Sequence, residues 1–138
     1  MITVRKQELV NINDVLHLYQ AVGWTNYTHQ PQMLEQALSN SLAIYLALDG
    51  DAVVGLVRLV GDGFSSIFVQ DLIVLPSYQC QGIGRDLMKE ALGDYKDAYQ
   101  VQLVTEQTEK TLGFYRSLGF ETLSTFDCTG MIWLDRKK

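Results

Sequence analysis

The chain has 138 residues, of which 47% are hydrophobic and 20% are charged, which suits one compact domain and excludes a disordered or collagen-like chain. Its net charge of −5 argues against binding along the phosphate backbone of a nucleic acid. No stretch approaches the ~18 uninterrupted apolar residues of a membrane span, and no apolar run follows the first charges as in a secretion signal. We therefore expect a cytoplasmic protein with a single domain over residues 1–138.

Residues that bind metals or act as activated nucleophiles are scarce. The chain has two cysteines, Cys80 and Cys128, and two histidines, His17 and His29, and none of them stand at the spacing of zinc ligands. A Gly-x-Ser-x-Gly nucleophile motif does not occur either. The sequence therefore predicts no metal site.

The first sixty residues predict a strand, two helices and a β-hairpin. Residues 2–6 alternate between apolar and polar side chains as a strand does, and residues 11–22 carry apolar side chains at helical spacing. A loop rich in aromatic residues follows, and Pro31 begins the second helix because its fixed φ suits a first turn. Residues 42–48 and 52–60 are apolar runs joined by Asp49-Gly50-Asp51, a pattern typical of an antiparallel hairpin.

The rest of the chain alternates strands with helices. A long apolar strand over residues 66–75 stops at Pro76, which cannot donate a hydrogen bond to a central ladder. The later predicted elements are a helix over residues 83–95, a strand over 99–105, a helix over 109–118 and two strands over 120–126 and 131–134. This order predicts an α+β fold, with a mixed, mainly antiparallel central sheet of about seven strands and helices on both faces.

The loop after the long strand has the chemistry of an anion site. Gln79-Cys80-Gln81-Gly82-Ile83-Gly84-Arg85 opens a helix through two glycines. The first turn of a helix offers backbone N–H groups at the positive end of the helix dipole, and glycines let a phosphate approach them. Leu87 at the third glycine position excludes a dinucleotide fingerprint, and no Gly-Lys-Ser/Thr follows to make a P-loop. A turn in which the glycines only relieve strain remains the alternative.

Two motifs together resemble the GNAT N-acetyltransferase superfamily. Gln79-x-x-Gly82-x-Gly84 is similar to the acetyl-CoA loop of that family, and residues 114–120, Phe-Tyr-Arg-Ser-Leu-Gly-Phe, are similar to its Phe-Tyr-x-x-x-Gly-Phe segment. The motifs stand in the family's order, separated by one predicted helix and one predicted strand. The resemblance implies a single N-acetyltransferase domain over residues 1–138 that uses acetyl-CoA.

The resemblance also implies where acetyl-CoA binds. The pyrophosphate would be held by the backbone amides of Gln81, Gly82, Ile83 and Gly84, with Gln79 and Arg85 nearby. The strand that ends at Leu75 would splay from its parallel neighbour, so that amides near Val74 and Leu72 pair with the pantetheine arm and the thioester carbonyl. One preorganised N–H at that carbonyl contributes about 3 kcal/mol to catalysis.

Tyr115 and Asp71 are the predicted catalytic residues. In the family, a tyrosine at the position of Tyr115 protonates the departing thiolate, and a phenol with a pKa of ~10 carries the required proton at neutral pH. Packing within the helix is the alternative role for Tyr115. The attacking amine must lose a proton, for which Asp71 or Glu106 is the candidate base, although either residue would also suit an ordinary ion pair. Thr108 stands where the family often has an asparagine.

Trp24 and Tyr27 are the predicted residues of the acceptor pocket. They lie in the connection between the first two helices, which lines that pocket in enzymes of this family. Two large aromatic side chains would form a face for an aliphatic or cationic amine. They would equally well cover the edge of the core, and the sequence does not decide between the two.

We expect the protein to transfer an acetyl group from acetyl-CoA to a primary amine of a small molecule, peptide or protein. The alternative is a non-catalytic acyl-CoA-binding or protein-interaction module on the same fold. The expected partner is the amine acceptor, with no nucleic acid and no membrane. An exposed sheet edge and a C-terminal hairpin would permit a homodimer.

Overall fold

A computed structural model describes residues 1–134, and these group into two units. The first unit is Met1–Val104, and the second begins at Thr105. Each unit has its own internal contacts and is described by itself below.

The first unit is built on a mixed sheet of five strands. They are β1 (Ile2–Lys6), β2 (Ala43–Asp49), β3 (Ala52–Gly61), β4 (Ser66–Val74) and β5 (Gln100–Leu103). The strands lie in chain order across the sheet, and every neighbouring pair is antiparallel except β4 and β5, which are parallel. The helical crossover between β4 and β5 makes this parallel pairing possible.

Four α-helices belong to the first unit: α1 (Ile12–Ala21), α2 (Thr25–Thr28), α3 (Pro31–Ser39) and α4 (Ile83–Asp94). A short 3-10 helix, Pro76–Tyr78, lies between β4 and α4. The side chain of Asn11 caps α1 by accepting a 2.8 Å hydrogen bond from the N–H of Asn13. Pro31 stands in the first turn of α3, as predicted. The aromatic loop contains the short helix α2, which the sequence pattern did not indicate.

Alternation along β2 directs apolar side chains to both faces of the sheet. Ile44, Leu46 and Leu48 join the buried cluster that α1 and α3 also supply. On the other face the hydroxyl of Tyr45 donates a 2.6 Å hydrogen bond to Asp94 of α4. Helices therefore cover both faces, and the predicted α+β class is confirmed.

Helix α4 lies very close to the sheet at Gly55 of β3. A Cβ at this position would lie 2.9 Å from the carbonyl oxygen of Ile73 and 3.3 Å from Cδ1 of Leu87. Only glycine leaves room for the neighbouring strand and the helix together. This close packing fixes α4 against the strands that lead to its own first turn.

The second unit contains the helix α5 (Glu109–Ser117), whose start is capped by Thr108. The Thr108 hydroxyl accepts a 3.1 Å hydrogen bond from the N–H of Thr111. A threonine at this position therefore has a local structural role as a helix cap.

The predicted strands over residues 120–126 and 131–134 are wrong. The described residues form five strands rather than about seven. Leu123–Phe126 forms a short 3-10 helix, and residues 131–134 belong to no helix or strand. The backbone of the 3-10 segment bonds locally, with the N–H of Cys128 donating to the carbonyl of Leu123 at 3.0 Å. Apolar alternation indicates a side that can be buried, but a strand also needs a neighbouring strand to complete its hydrogen bonds.

Candidate active site

The parallel pairing includes all of β5 but only the first half of β4. Pairing of β4 with β5 begins at Ser66 opposite Gln100 and ends at Val69 opposite Leu103. Beyond Val69, β4 continues to Val74 and stays paired with β3 on its other side. The second half of β4 therefore has an edge that β5 does not cover.

A β-bulge in β4 lies at the point where its pairing with β5 ends. Arg58 of β3 is opposite Asp71, whereas the next residue, Leu59, is opposite Val69, so Gln70 is an extra residue in β4. A bulge bends its strand and increases the local twist. The bulge lies immediately after the last β4–β5 pair, where β5 ends at Leu103, and the splay that the family resemblance implied stays a prediction.

The backbone groups of Leu72 and Val74 point toward this open edge. The N–H of Leu75 donates a 2.9 Å hydrogen bond to the carbonyl of Val54, so the backbone groups of Leu75 face β3. Because these groups alternate along a strand, those of Val74 and Leu72 face away from β3. The side-chain amide of Gln79 reaches the same edge, where it donates a 3.1 Å hydrogen bond to the carbonyl of Val74.

The first turn of α4 follows directly and has an open N-terminus. Gly82 is the N-cap residue, with a φ of 81° and no side-chain hydrogen bond that caps the helix. A Cβ built on Gly82 would meet nothing within 4 Å. Gln81 is exposed, whereas Ile83 is buried and anchors the turn to the core. Backbone amides at an accessible helix start, near the positive end of the dipole, fit the pyrophosphate of a CoA ester.

Asp71 lies at the centre of a buried hydrogen-bond network. The Nε of Arg58 and the hydroxyl of Tyr19 both donate to its Oδ2, at 2.7 and 2.8 Å, and the hydroxyl of Tyr27 donates to its Oδ1 at 3.1 Å. The Tyr27 hydroxyl also accepts hydrogen bonds from Arg58 at 3.3 Å and from Gln70 at 3.4 Å. The network therefore ties α1 and α2 to β3 and to the bulge in β4.

The electrostatics of this network keep every donor protonated. Burial, followed by the neighbouring Asp71 carboxylate, raises the pKa of Tyr19 and of Tyr27 above the usual value of a phenol. Burial acts to lower the pKa of the Arg58 guanidinium, but attraction to Asp71 and the hydrogen bond between them outweigh it and raise that pKa. Arg58 thus remains a cation, and both tyrosines remain hydrogen-bond donors to the carboxylate.

The predicted acceptor residues pack over the edge of the core. The side chains of Trp24 and Tyr27 are half-buried against the cluster that contains Tyr19. Ring centroids lie 5.0 Å apart for Tyr19 and Tyr27, and 6.1 Å apart for Tyr19 and Trp24. Their covering role is therefore observed, while their contact with an acceptor stays a prediction.

Tyr115 belongs to the second unit and is half-buried on α5. Its ring makes edge contacts with Phe114 and Phe120, with centroid distances of 5.0 and 5.9 Å. Burial raises the pKa of its phenol, which keeps the proton in place at neutral pH. Both the packing role and an acid role are compatible with these contacts.

The sequence analysis missed Arg58 and Tyr19. Arg58 is the one charged residue in the apolar run of residues 52–60, and Asp71 is the one charged residue in the apolar strand over residues 66–75. Opposite charges in two buried strands indicate an ion pair, because a buried charge is otherwise too costly. These two lone charges are the signal in the sequence that points to the buried pair.

Two features are absent from residues 1–134. This part of the chain contains no group of three or more histidine, cysteine or acidic side chains that could hold a metal ion. It also contains no helix that is both long and apolar enough to cross a membrane. The cytoplasmic location stays a prediction.

Comparison with known proteins gives a family match. Residues 40–122, more than half of the chain, match the family model described as "Acetyltransferase (GNAT) domain". Serotonin N-acetyltransferase 2, chloroplastic, from Oryza sativa subsp. japonica is 30% identical over 115 residues, which are 80% of this chain and 56% of the rice protein. GCN5-related N-acetyltransferase 1, chloroplastic, from Arabidopsis thaliana is 28% identical over 84% of this chain and 59% of its own length. The chain thus spans less than two thirds of the length of each of these relatives.

Solved structures agree with this match. A GNAT family acetyltransferase from Streptococcus pneumoniae TIGR4 is 77% identical, with a TM-score of 0.93 over 99% of this chain and 100% of that one. The PaiA N-acetyltransferase from Thermoplasma acidophilum, solved in complex with coenzyme A, is 18% identical and has a TM-score of 0.67 over 86% of this chain and 90% of that one. At that identity the second likeness shows a shared fold.

Proposed function

Because the chain belongs to the GNAT acetyltransferase family, we propose that it transfers the acetyl group of acetyl-CoA to a primary amine of a small molecule, a peptide or a protein. The observation that carries the proposal is the open edge of β4 beside the uncapped start of α4. The names of the relatives, which are N-acetyltransferases, support an amine as the acceptor.

The first turn of α4 would bind the diphosphate. In this proposal the backbone amides of residues 81–84 donate to its oxygens, and Gln79 and Arg85 lie beside them. Gly82 adopts a left-handed backbone conformation and leaves the approach clear. The helix dipole adds a favourable interaction with the negative charge.

The open edge of β4 would bind the arm of the cofactor as a neighbouring strand would. The outward-facing backbone groups of Val74 would pair with an amide of the arm, and the N–H of Leu72 would donate to the thioester carbonyl. When bound, acetyl-CoA supplies an activated acetyl group. The Leu72 N–H would then stabilise negative charge on the carbonyl oxygen of the bound thioester.

The transfer forms one carbon–nitrogen bond and breaks the carbon–sulfur bond of the thioester. The amine loses a proton, and the departing thiolate gains one. Tyr115 is the proposed donor of the second proton, because its raised pKa keeps the phenol protonated. The proposal for Tyr115 rests on the Phe-Tyr-x-x-x-Gly-Phe motif.

Asp71 remains the candidate acceptor of the amine proton, with Glu106 as the alternative. The carboxylate of Asp71 is buried and already accepts three hydrogen bonds, which limits how an amine proton could reach it. Glu106, by contrast, is exposed. Asp71 also has a positioning role, because its hydrogen bond with the Tyr27 hydroxyl holds this aromatic side chain in place.

Release of free thiol from acetyl-CoA, measured with a panel of alkyl amines, arylalkyl amines and peptides with free amino groups, tests the proposal. We expect thiol release that depends on at least one amine and a stabilising thermal shift with acetyl-CoA alone. Absence of any thermal shift at millimolar acetyl-CoA would contradict the binding site. Binding without amine-dependent thiol release would instead favour a non-catalytic acyl-CoA-binding module, which the buried, hydrogen-bonded Asp71 would suit.

A further inference from the structure

The loop that precedes α4 is exposed and contains a residue in an unfavourable backbone conformation. Cys80, Gln81 and Gly82 are all exposed, and a Cβ built on Gly82 would meet nothing within 4 Å. Cys80 has a φ of 64°, in the left-handed region that residues other than glycine rarely adopt. Such a conformation persists only where the surrounding structure holds it. Because the loop packs against little of the protein, this support must come from its two ends.

The start of the loop is held by a hydrogen bond to a distant part of the chain. The hydroxyl of Tyr78, the last residue of the 3-10 helix before the loop, donates a 2.6 Å hydrogen bond to Oδ2 of Asp49, 29 residues away in sequence. Asp49 ends β2, and its pairing with Ala52 closes the turn of the β2–β3 hairpin. The bond therefore connects the loop to a tight turn of the central sheet.

The chemistry of the two groups favours a strong hydrogen bond. Donation to a carboxylate gives a charge-assisted hydrogen bond, which is shorter and stronger than a bond between neutral groups. The hydrogen bond with Asp49, followed by burial, raises the pKa of the Tyr78 phenol, so the phenol keeps the donated proton at neutral pH. Both side chains are half-buried, which partly shields the bond from competing water.

The end of the loop is held separately from its start. Ile83 is buried and fixes the first turn of α4 to the core. Between the two anchors, Gln79 contacts the open edge through its 3.1 Å hydrogen bond to the carbonyl of Val74. The backbone direction of residues 79–82 thus depends on where Tyr78 is held.

We infer that Asp49 and Tyr78 are positioning residues for acetyl-CoA, because their hydrogen bond holds residues 79–82 in the conformation that binds the diphosphate. The inference rests on the proposed function, in which the amides of residues 81–84 donate to that group. Both residues act through the loop. Without the bond the loop would also populate other conformations, and the measured affinity would fall in proportion to the fraction of molecules that remain competent to bind.

Calorimetric titration of acetyl-CoA into Tyr78→Phe, which removes only the hydroxyl, is the first test. We expect the affinity to fall about tenfold, as a competent fraction of about one tenth would give. The matched control is Tyr45→Phe, which removes another 2.6 Å hydrogen bond from a tyrosine to an aspartate, Asp94, at the opposite end of α4. This control should keep the wild-type affinity. Equal affinities in the two variants would overturn the inference, because the Tyr78 bond would then have no effect on the loop beyond general stability.

A double-mutant cycle tests whether the two residues act together. Asp49→Ala removes the acceptor and should weaken acetyl-CoA binding about as much as Tyr78→Phe does, and the double variant should bind no more weakly than either single variant. Asp49→Asn keeps a side-chain oxygen that can accept the bond and should restore much of the affinity. Losses that add in the double variant would overturn the inference, because the two side chains would then act independently.

Steady-state kinetics separate a positioning role from a catalytic one. In Tyr78→Phe the KM for acetyl-CoA should rise about tenfold, while kcat should stay within about twofold of the wild type because bound acetyl-CoA selects the competent loop. A lower kcat with an unchanged KM would contradict the positioning role. A wild type that binds no acetyl-CoA would overturn the proposed function and this inference together. A wild type that binds it only as well as Tyr78→Phe would overturn this inference alone.

Discussion

The Nε of Arg58 lies 2.7 Å from Oδ2 of Asp71, and these two side chains are only 5% and 2% exposed. The pair joins β3 to β4 next to the bulge at Gln70, where the pairing of β4 with β5 ends. Tyr19 and Tyr27 complete the hydrogen bonds of the carboxylate. The ion pair therefore stabilises the β3–β4 pairing beside the open edge. It also helps to hold Tyr19 and Tyr27 against β4.

Arg58→Met should lower the free energy of unfolding by about 3–5 kcal/mol, because it leaves a buried carboxylate without its counter-ion. Urea unfolding measures this loss. The matched control is Arg116→Met, which breaks the exposed pair of Arg116 with Glu121 and should cost less than about 1 kcal/mol.

The double variant Arg58→Met/Asp71→Leu provides a further check. Removing both charges should restore much of the stability that Arg58→Met loses, because no unpaired charge remains buried. A loss in Arg58→Met no larger than that in Arg116→Met would contradict the role given to the buried pair.

Alkaline pH should destabilise the folded protein. Tyr19 has an ordinary pKa of 10.0, and burial followed by Asp71 raises this value in the folded state. Above about pH 10 the unfolded chain loses the Tyr19 proton while the folded chain keeps it, so this contribution is complete below pH 10 and declines as the pH rises further. Tyr19→Phe should make the decline above pH 10 shallower by up to about 1.4 kcal/mol per pH unit, measured by urea unfolding at several pH values. Identical slopes in the variant and the wild type would rule out this linkage.

Tyr115→Phe should lower the turnover number by about 10²- to 10⁴-fold while leaving acetyl-CoA affinity nearly unchanged, since only the proton donor is lost. Steady-state rates with the best amine of the panel, together with calorimetric binding of acetyl-CoA, separate these two quantities. Tyr99→Phe, which alters an exposed tyrosine of the first unit, is the control. An unchanged turnover number would leave Tyr115 with a packing role only.

Local patterns in the sequence were sufficient for much of the fold. The hairpin of β2 and β3 and the helix that begins at Ile83 were indicated by periodicity, turn residues and glycine placement, which act over a few neighbouring residues. The two strands predicted after residue 119 were wrong because a strand depends on a partner elsewhere in the fold, and apolar alternation does not specify that partner.

The candidate site was predictable where it depends on local backbone. Residues 79–85 indicated an anion-binding helix start because the glycines and the helix boundary are adjacent in sequence. The network around Asp71 depends instead on the register between β3 and β4 and on one extra residue in β4, which together bring Arg58 opposite it. Register is a property of the assembled sheet, so the partners of Asp71 could be suspected from the lone charges but not assigned.

Calorimetric titration of acetyl-CoA into Gln81→Glu and Gln32→Glu tests the central claim most directly. Both residues are exposed at the start of a helix, α4 and α3 respectively, and both substitutions add one negative charge without a change in shape. We expect Gln81→Glu to weaken binding by about tenfold, or ~1.4 kcal/mol, because its carboxylate repels the diphosphate, and Gln32→Glu to leave the affinity within about twofold of the wild type. Equal affinities for acetyl-CoA in the two variants would show that the diphosphate does not bind at the start of α4.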